Sequence, residues 1–146
     1  MVTAAATFTV AVTVHTDGGT AQTRNMAGDE SITTVGGDIR VTGASGALVL
    51  DSDGGTVTGT NLTGTRTSVT TEGGGVTLAY AVEPAAIAAT TQGGGIDVVV
   101  PQSDAGYRVD AQSNGGTSTI DVLDDPTSAR TLELRSDGGD VRVRYP

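Results

Sequence analysis

The sequence predicts an all-β, single-domain β-solenoid of about seven rungs with Gly-Gly corners, and three observations predict it. The first is a repeat. Diglycine pairs recur at Gly18-Gly19, Gly36-Gly37, Gly54-Gly55, Gly73-Gly74, Gly93-Gly94, Gly115-Gly116 and Gly138-Gly139, with successive first glycines 18, 18, 19, 20, 22 and 23 residues apart. A slowly stretching period of this size marks stacked rungs that tolerate insertions. The second is the pattern around each pair. Four residues before the first glycine stand Val14, Ile32, Leu50, Val69, Ala89, Ala111 and Leu134, and two before it stand Thr16, Thr34, Ser52, Thr71, Thr91, Ser113 and Ser136. Polar residues lie between these two columns, so each approach to a corner reads as a strand with one dry face and one wet face. The third is composition. Of 146 residues, 22 are glycine, none is tryptophan, one is phenylalanine and three are tyrosine. A narrow lumen filled by Val, Ile, Leu, Ala and Thr needs no more aromatic bulk than that.

Glycine suits the corners because a sharp turn calls for positive φ and because stacked turns leave little room for a Cβ. On that basis Gly54→Val is expected to cost far more stability than Thr58→Val. Gly-Gly between alternating residues also marks a two-residue hairpin loop, so a hairpin-built sandwich or barrel is the competing architecture. A meander has no evident need for a hydroxyl at one corner position seven times over. Pointing inward, a small Ser or Thr fits a tight bend and bonds to turn backbone.

In chain order, residues 1–7 read as a tail or cap and residues 8–146 as the solenoid. Phe8 to Thr16 alternates cleanly and forms the opening strand, with Phe8, Val10, Val12 and Val14 on one face. Single-glycine bends at Met26-Ala27-Gly28, Ser45-Gly46 and Thr63-Gly64 supply the opposite turn of the early rungs. Later rungs loosen, through a proline-bearing bend at Glu83-Pro84 and a strand stop at Pro101. Thr117 to Val122 reads as slipped by a residue or two, as a bulge would do. Asp124 to Ser128 is the strongest loop signal, and Arg130 to Tyr145 forms the last rung. Half of the basic residues, Arg130, Arg135, Arg142 and Arg144, gather there. Read as a terminal edge, they guard against edge pairing or offer a docking surface to an acidic partner, including the acidic flank of another copy. The end rungs, with Phe8 and Val10 at one end and these arginines at the other, are the candidate interfaces.

Charge bounds the partners. Seventeen acidic against eight basic residues give a net charge of −9, which argues against unaided binding of nucleic acid or anionic membranes. There is no cysteine, hence no disulfide or thiolate chemistry. No stretch approaches a membrane span, and Met1 to Ala6 lacks a basic n-region. As written, the chain is expected in the cytoplasm; an envelope or surface location follows if a targeting segment has been removed.

Linear motifs for chemistry are sparse. The position before each glycine pair carries adjacent carboxylates only at Asp53 and Glu72, a spacing that suits a retaining glycosidase. Exposed turn residues account for them more simply, since no histidine, tyrosine or arginine is placed to assist. Gly93-Gly94-Gly95-Ile96-Asp97 approaches a calcium β-roll turn once, at the wrong spacing. Asp51 with Asp53, or Asp121 with Asp124 and Asp125, could hold a cation only weakly. His15 has no ligand companion for zinc. The threonine columns that would form an ice-binding face are interrupted by Arg40, Asp97 and Arg142. No catalytic residue, cofactor or metal site is expected.

The units Ile32-Thr-Thr-Val-Gly-Gly-Asp-Ile-Arg-Val41, Leu50-Asp-Ser-Asp-Gly-Gly-Thr-Val57, Ile96-Asp-Val-Val-Val-Pro101 and Leu134-Arg-Ser-Asp-Gly-Gly-Asp-Val-Arg-Val143 resemble those of the DUF4097 family of bacterial adhesin-type repeat proteins. The likeness runs from about Val12 to Tyr145. It implies a β-solenoid, a loose association with bacterial envelopes and no catalytic residues. The sequence shows no membrane-anchor segment of the kind many relatives possess. Together these readings predict a non-catalytic structural or adhesin-like interaction module. Its expected partners are protein or glycan surfaces of the envelope, or further copies joined end to end. The alternative is a polysaccharide-binding or polysaccharide-cleaving β-helix protein using surface carboxylates.

Overall fold

The computed structural model describes residues 1–5 and 11–146. Its strands are β1 (Val2–Ala5), β2 (Val12–Thr16), β3 (Ala21–Arg24), β4 (Glu30–Thr34), β5 (Ile39–Thr42), β6 (Leu48–Ser52), β7 (Val57–Leu62) and β8 (Arg66–Thr71). They continue with β9 (Val76–Tyr80), β10 (Ala86–Thr91), β11 (Ile96–Val99), β12 (Arg108–Ser113), β13 (Ser118–Asp121), β14 (Thr131–Ser136) and β15 (Val141–Arg144). Even-numbered strands build one parallel sheet of seven, and odd-numbered strands build a second parallel sheet of eight. Each rung is an even strand, a Gly-Gly corner and the odd strand that follows. The fold is an all-β solenoid of about seven turns. Val2–Ala5, within the segment read as tail or cap, is a strand paired in parallel with β3. Phe8 and Val10 lie outside the described residues.

The inward columns are those read from the alternation. Ile32, Leu50, Val69, Ala89 and Leu134 line one wall of the lumen, and Ile39, Val57, Val76, Ile96 and Val141 line the other, all buried. The core is therefore one continuous stack, with each layer packed on the next.

The corners explain the hydroxyl column. Gly55 N donates to Ser52 Oγ (3.0 Å), and Ser52 Oγ donates to the carbonyl of Gly37 one rung earlier (3.0 Å). Thr71 repeats the arrangement with Gly74 N (3.3 Å) and Gly55 O (2.9 Å), and Thr91 with Gly94 N (3.2 Å) and Gly74 O (2.7 Å). Each hydroxyl thus satisfies one buried donor and one buried acceptor that the sheet ladders leave over, each otherwise costing about 1–3 kcal/mol. Ser and Thr alone combine that dual capacity with the small volume a corner allows.

Positive φ is not the general reason for glycine at these corners. Among the fourteen corner glycines it occurs at Gly19 (80°) and Gly36 (106°). The recurrent reason, from Gly37 onward, is stacking of the second glycine of each pair. A Cβ on Gly37, Gly55 or Gly74 would fall on the carbonyl oxygen of the second glycine one rung earlier. The first glycine is freer at the early corners, where the nearest atom to a Cβ on Gly54 is Gly36 Cα at 3.4 Å, but at Gly93, Gly115 and Gly138 a Cβ would also press on backbone oxygens of the adjacent rung. Gly55, rather than Gly54, is the position that cannot accept a side chain.

The order of the rungs in space departs from their order in the chain. The eight-stranded sheet runs β1-β3-β5-β7-β9-β11-β15-β13, and the seven-stranded sheet ends β8-β10-β14-β12. After β11 the chain skips one rung position, builds β12 and β13, then returns to lay β14 and β15 into the space it had passed. Thr131 and Arg108 are register partners across β14 and β12, while Thr131 also pairs with Ala86 of β10. The rung of Arg130 to Tyr145 is consequently interior, and β12 with β13 forms the outermost rung. This corrects its reading as a terminal edge. The widening of the glycine spacing to 22 and 23 residues is where the connections must span two rung heights out and one back.

That displaced rung is also why Thr117 to Val122 looked slipped. Ser118 and Ile120 are in register with Val141 and Val143, so the strand is not shifted. Its inward positions simply face an open end. The register irregularity lies elsewhere, between Gly59 and Leu62 in β7.

Candidate interaction surfaces

Four arginines bind the interior rung to its neighbours on both sides. Toward the N-terminal end, Arg130 pairs with Glu83, and Arg144 meets Asp97 through two contacts, Nε to Oδ1 at 3.3 Å and Nη2 to Oδ2 at 3.2 Å. Toward the outermost rung, Arg135 meets Asp110 and Arg142 meets Asp121, each at 3.4 Å. Arg130, Arg135, Arg142 and Arg144, read from the sequence as an outer edge and candidate interface, stand instead on an interior rung with carboxylates of the same chain on both sides. Each exposed pair is worth about 0.2–1 kcal/mol. Their shared consequence is geometric, since acidic residues flank the arginines above and below.

Two further bond sets mark the same order. Asp38 Oδ1 accepts from Thr56 N (2.9 Å) and Oγ1 (2.8 Å) one rung further on. Asp140 Oδ1 accepts from Thr117 N (2.8 Å) and Oγ1 (3.1 Å), although Thr117 precedes it in the chain. These bonds hold both carboxyls below the ordinary aspartate range, with the Thr56 and Thr117 backbone N–H groups the largest cause. In the hydroxyl column, Ser136 Oγ donates to Gly94 O (2.7 Å) and Ser113 Oγ donates to Gly139 O (2.8 Å). A signal was therefore present: Gly-Gly-Asp at one rung clamps Gly-Gly-Thr at the next rung outward, which puts Asp140 inboard of Thr117.

The outermost rung is the open end. Every residue of β13 is exposed, and Ile120 (39 %) and Leu123 (51 %) present apolar surface there. Among the described residues neither β12 nor β13 has a strand on its outer side. The carboxylates near this end are engaged separately. Asp124 accepts from Val109 N (3.1 Å), Asp125 from Thr127 N (2.8 Å) and Thr127 Oγ1 (2.7 Å), and Asp121 faces Arg142. They do not converge on a common point. Asp53 and Glu72 occupy successive exposed corners, outside a hollow on the seven-stranded sheet. That hollow, about 400 Å³, is a shallow trough on the outer face of the seven-stranded sheet over Val49, Ser68 and Ala88, closed by Arg66 and Glu133. His15 lies on the surface, 3.4 Å from Asp17. Among the described residues no helix is long and apolar enough to cross a membrane.

At the opposite end, Glu30 takes an inward position of β4, in register with Val12 and Leu48. It is buried, and neither carboxylate oxygen has a hydrogen-bond partner among the described residues. Burial raises its pKa above the ordinary value of 4.5, and the neighbouring Thr23 hydroxyl offsets part of that rise. A raised folded-state pKa means that the neutral acid is the form the fold prefers. Its stabilisation is fully present below the unfolded value and is lost as pH rises through the folded value. Glu30→Gln is therefore expected to raise the melting temperature, with a gain over the unaltered chain that is small at pH 4 and larger at pH 8. Asp38 and Asp140 titrate alike in both proteins and drop out of that difference. Melting curves at the two pH values check it, and an equal gap at both would remove ionisation of Glu30 as the cause.

The family model described as Toastrack DUF4097 matches residues 3–144. The chain belongs to this family. The match takes in nearly all of β1 and the whole of β15, so the displaced rung lies within its span. No curated protein and no solved structure matches the chain.

Proposed function

We propose that this DUF4097 chain is a non-catalytic, adhesin-like interaction module that meets its partners through the open end formed by β12 and β13. One observation carries the reading: a complete rung with unpaired outer edges among the described residues and with Ile120 and Leu123 exposed on it. Unpaired parallel edges recruit strands, either from a protein partner or from the first rung of another copy. Head-to-tail stacking of copies would be heterologous and would grow into filaments rather than close. An envelope setting is consistent with this role and supplies protein and glycan surfaces as partners.

Light scattering after size exclusion, over a hundredfold concentration range, tests the self-associating form. Growth in mass with concentration is expected, and Ile120→Lys should abolish it by placing a charge where the next rung must pack. A monomer at every concentration in both proteins would end the case for stacking through this rung.

A further inference from the structure

We propose that the rung of residues 130–145 is exchangeable, and that two copies of the chain interlock by each placing this rung in the other. The occupant is the same segment of a second copy. This is independent of end stacking, which leaves every rung in its own chain.

The displaced order leaves the rung of residues 130–145 enclosed by strands that precede it in the chain. The rung is held by ladders to β10 and β12 in one sheet and to β11 and β13 in the other. Its apolar residues Leu132, Leu134, Val141 and Val143 are fully buried between those neighbours. Drawn out, it leaves a slot with unpaired edges on both sides and in both sheets, and such a slot does not persist empty. None of the contacts that fill it depends on which chain supplies the rung. Only the connection from Val122 to Arg130 changes course, so the closed and interlocked forms differ mainly in that connection. Exchange of an identical element is a low-cost route to dimers for that reason.

Charge makes the exchange selective. Residues 130–146 carry four arginines against three acids, whereas the rest of the chain carries four arginines against fourteen acids. The arginines meet Glu83 and Asp97 on one wall of the slot and Asp110 and Asp121 on the other. A basic insert and an acidic slot attract in trans as they do in cis, while two acidic slots repel. The connection is exposed at Leu123, Asp124, Pro126 and Thr127, and the bonds that tie it to Tyr107 and Gly106 are what must open for the rung to leave. High salt screens the four pairs and should speed the exchange.

The absence of native cysteine allows a direct test. Ala88 and Glu133 are register partners across β10 and β14, both exposed and neither in an ion pair. Adjacent strands hold such partners at a Cα separation a disulfide can span. Ala88→Cys and Glu133→Cys, as two separate full-length proteins, are mixed, refolded together at high concentration and oxidised. Interlocking predicts a disulfide joining the Ala88→Cys protein to the Glu133→Cys protein as the main covalent dimer, formed faster after incubation in high salt. The double variant, refolded dilute, should close within one chain and confirm that the pair is in reach. Mixed dimers at no more than their random-collision share, alongside a double variant that closes within one chain at every concentration, would overturn the proposal. End-stacked copies would give that second result while still growing in mass.

Discussion

Gly55→Ala is expected to lower the stability of the chain by about 3 kcal/mol or more, whereas Gly54→Ala should change it by about 1 kcal/mol or less. The two glycines are neighbours in one corner, but they meet different surroundings. A Cβ on Gly55 would overlap the Gly37 carbonyl and the Asp38 amide, which belong to the rung beneath. Neither is a flexible side-chain end. Relief would require the two rungs to separate at the corner, and the same shift would break the Ser52 hydroxyl bridge between Gly55 N and Gly37 O. At Gly54 the nearest contact is 3.4 Å and no positive φ is required, so a methyl group fits. Urea titrations of the two variants read this as a difference in midpoint at constant slope. Equal midpoints would mean that stacking is not what demands glycine.

Leu134→Ala should cost about 2–5 kcal/mol, and Ile120→Ala about 1 kcal/mol or less. The contrast tests rung order. Leu134 is fully buried and lies between Ala89 of β10 and Ala111 of β12. Both neighbours are too small to fill the space a leucine leaves, so a cavity persists. Ile120, on the outermost rung, is 39 % exposed, so truncating it removes less buried surface than at Leu134 and leaves no enclosed cavity. Were the rungs stacked in chain order, Leu134 would lie at the open end and Ile120 inside, and the ranking would reverse. Thermal or urea unfolding of both variants decides between the two orders.

Much of this architecture could be read from residues alone. The glycine period, the apolar columns and the hydroxyl column are set by local sterics and by the alternation of a strand, and these act within one rung whatever lies above it. The inward Ser52, Thr71 and Thr91 were legible because a small dual hydrogen-bonding side chain at a corner has few other uses. The choice between Gly54 and Gly55 was not legible, since it depends on the approach of a neighbouring rung rather than on φ. The groups at the candidate interfaces were half legible. Arg130, Arg135, Arg142 and Arg144 stood out by composition, yet their acidic partners come from rungs that the chain order does not make adjacent to them on both sides.

Residue order alone points to the all-β solenoid, its number of rungs and its inward columns, because each follows from a periodicity set within one rung. The position of the last rung inside the penultimate one emerges only when the rungs are packed together. Parallel strand edges are chemically alike from rung to rung, so the ladders accept either order. The choice falls to interactions between rungs: the Asp140 clamp on Thr117, the carboxylates facing four arginines, and connections long enough to pass over a rung and return.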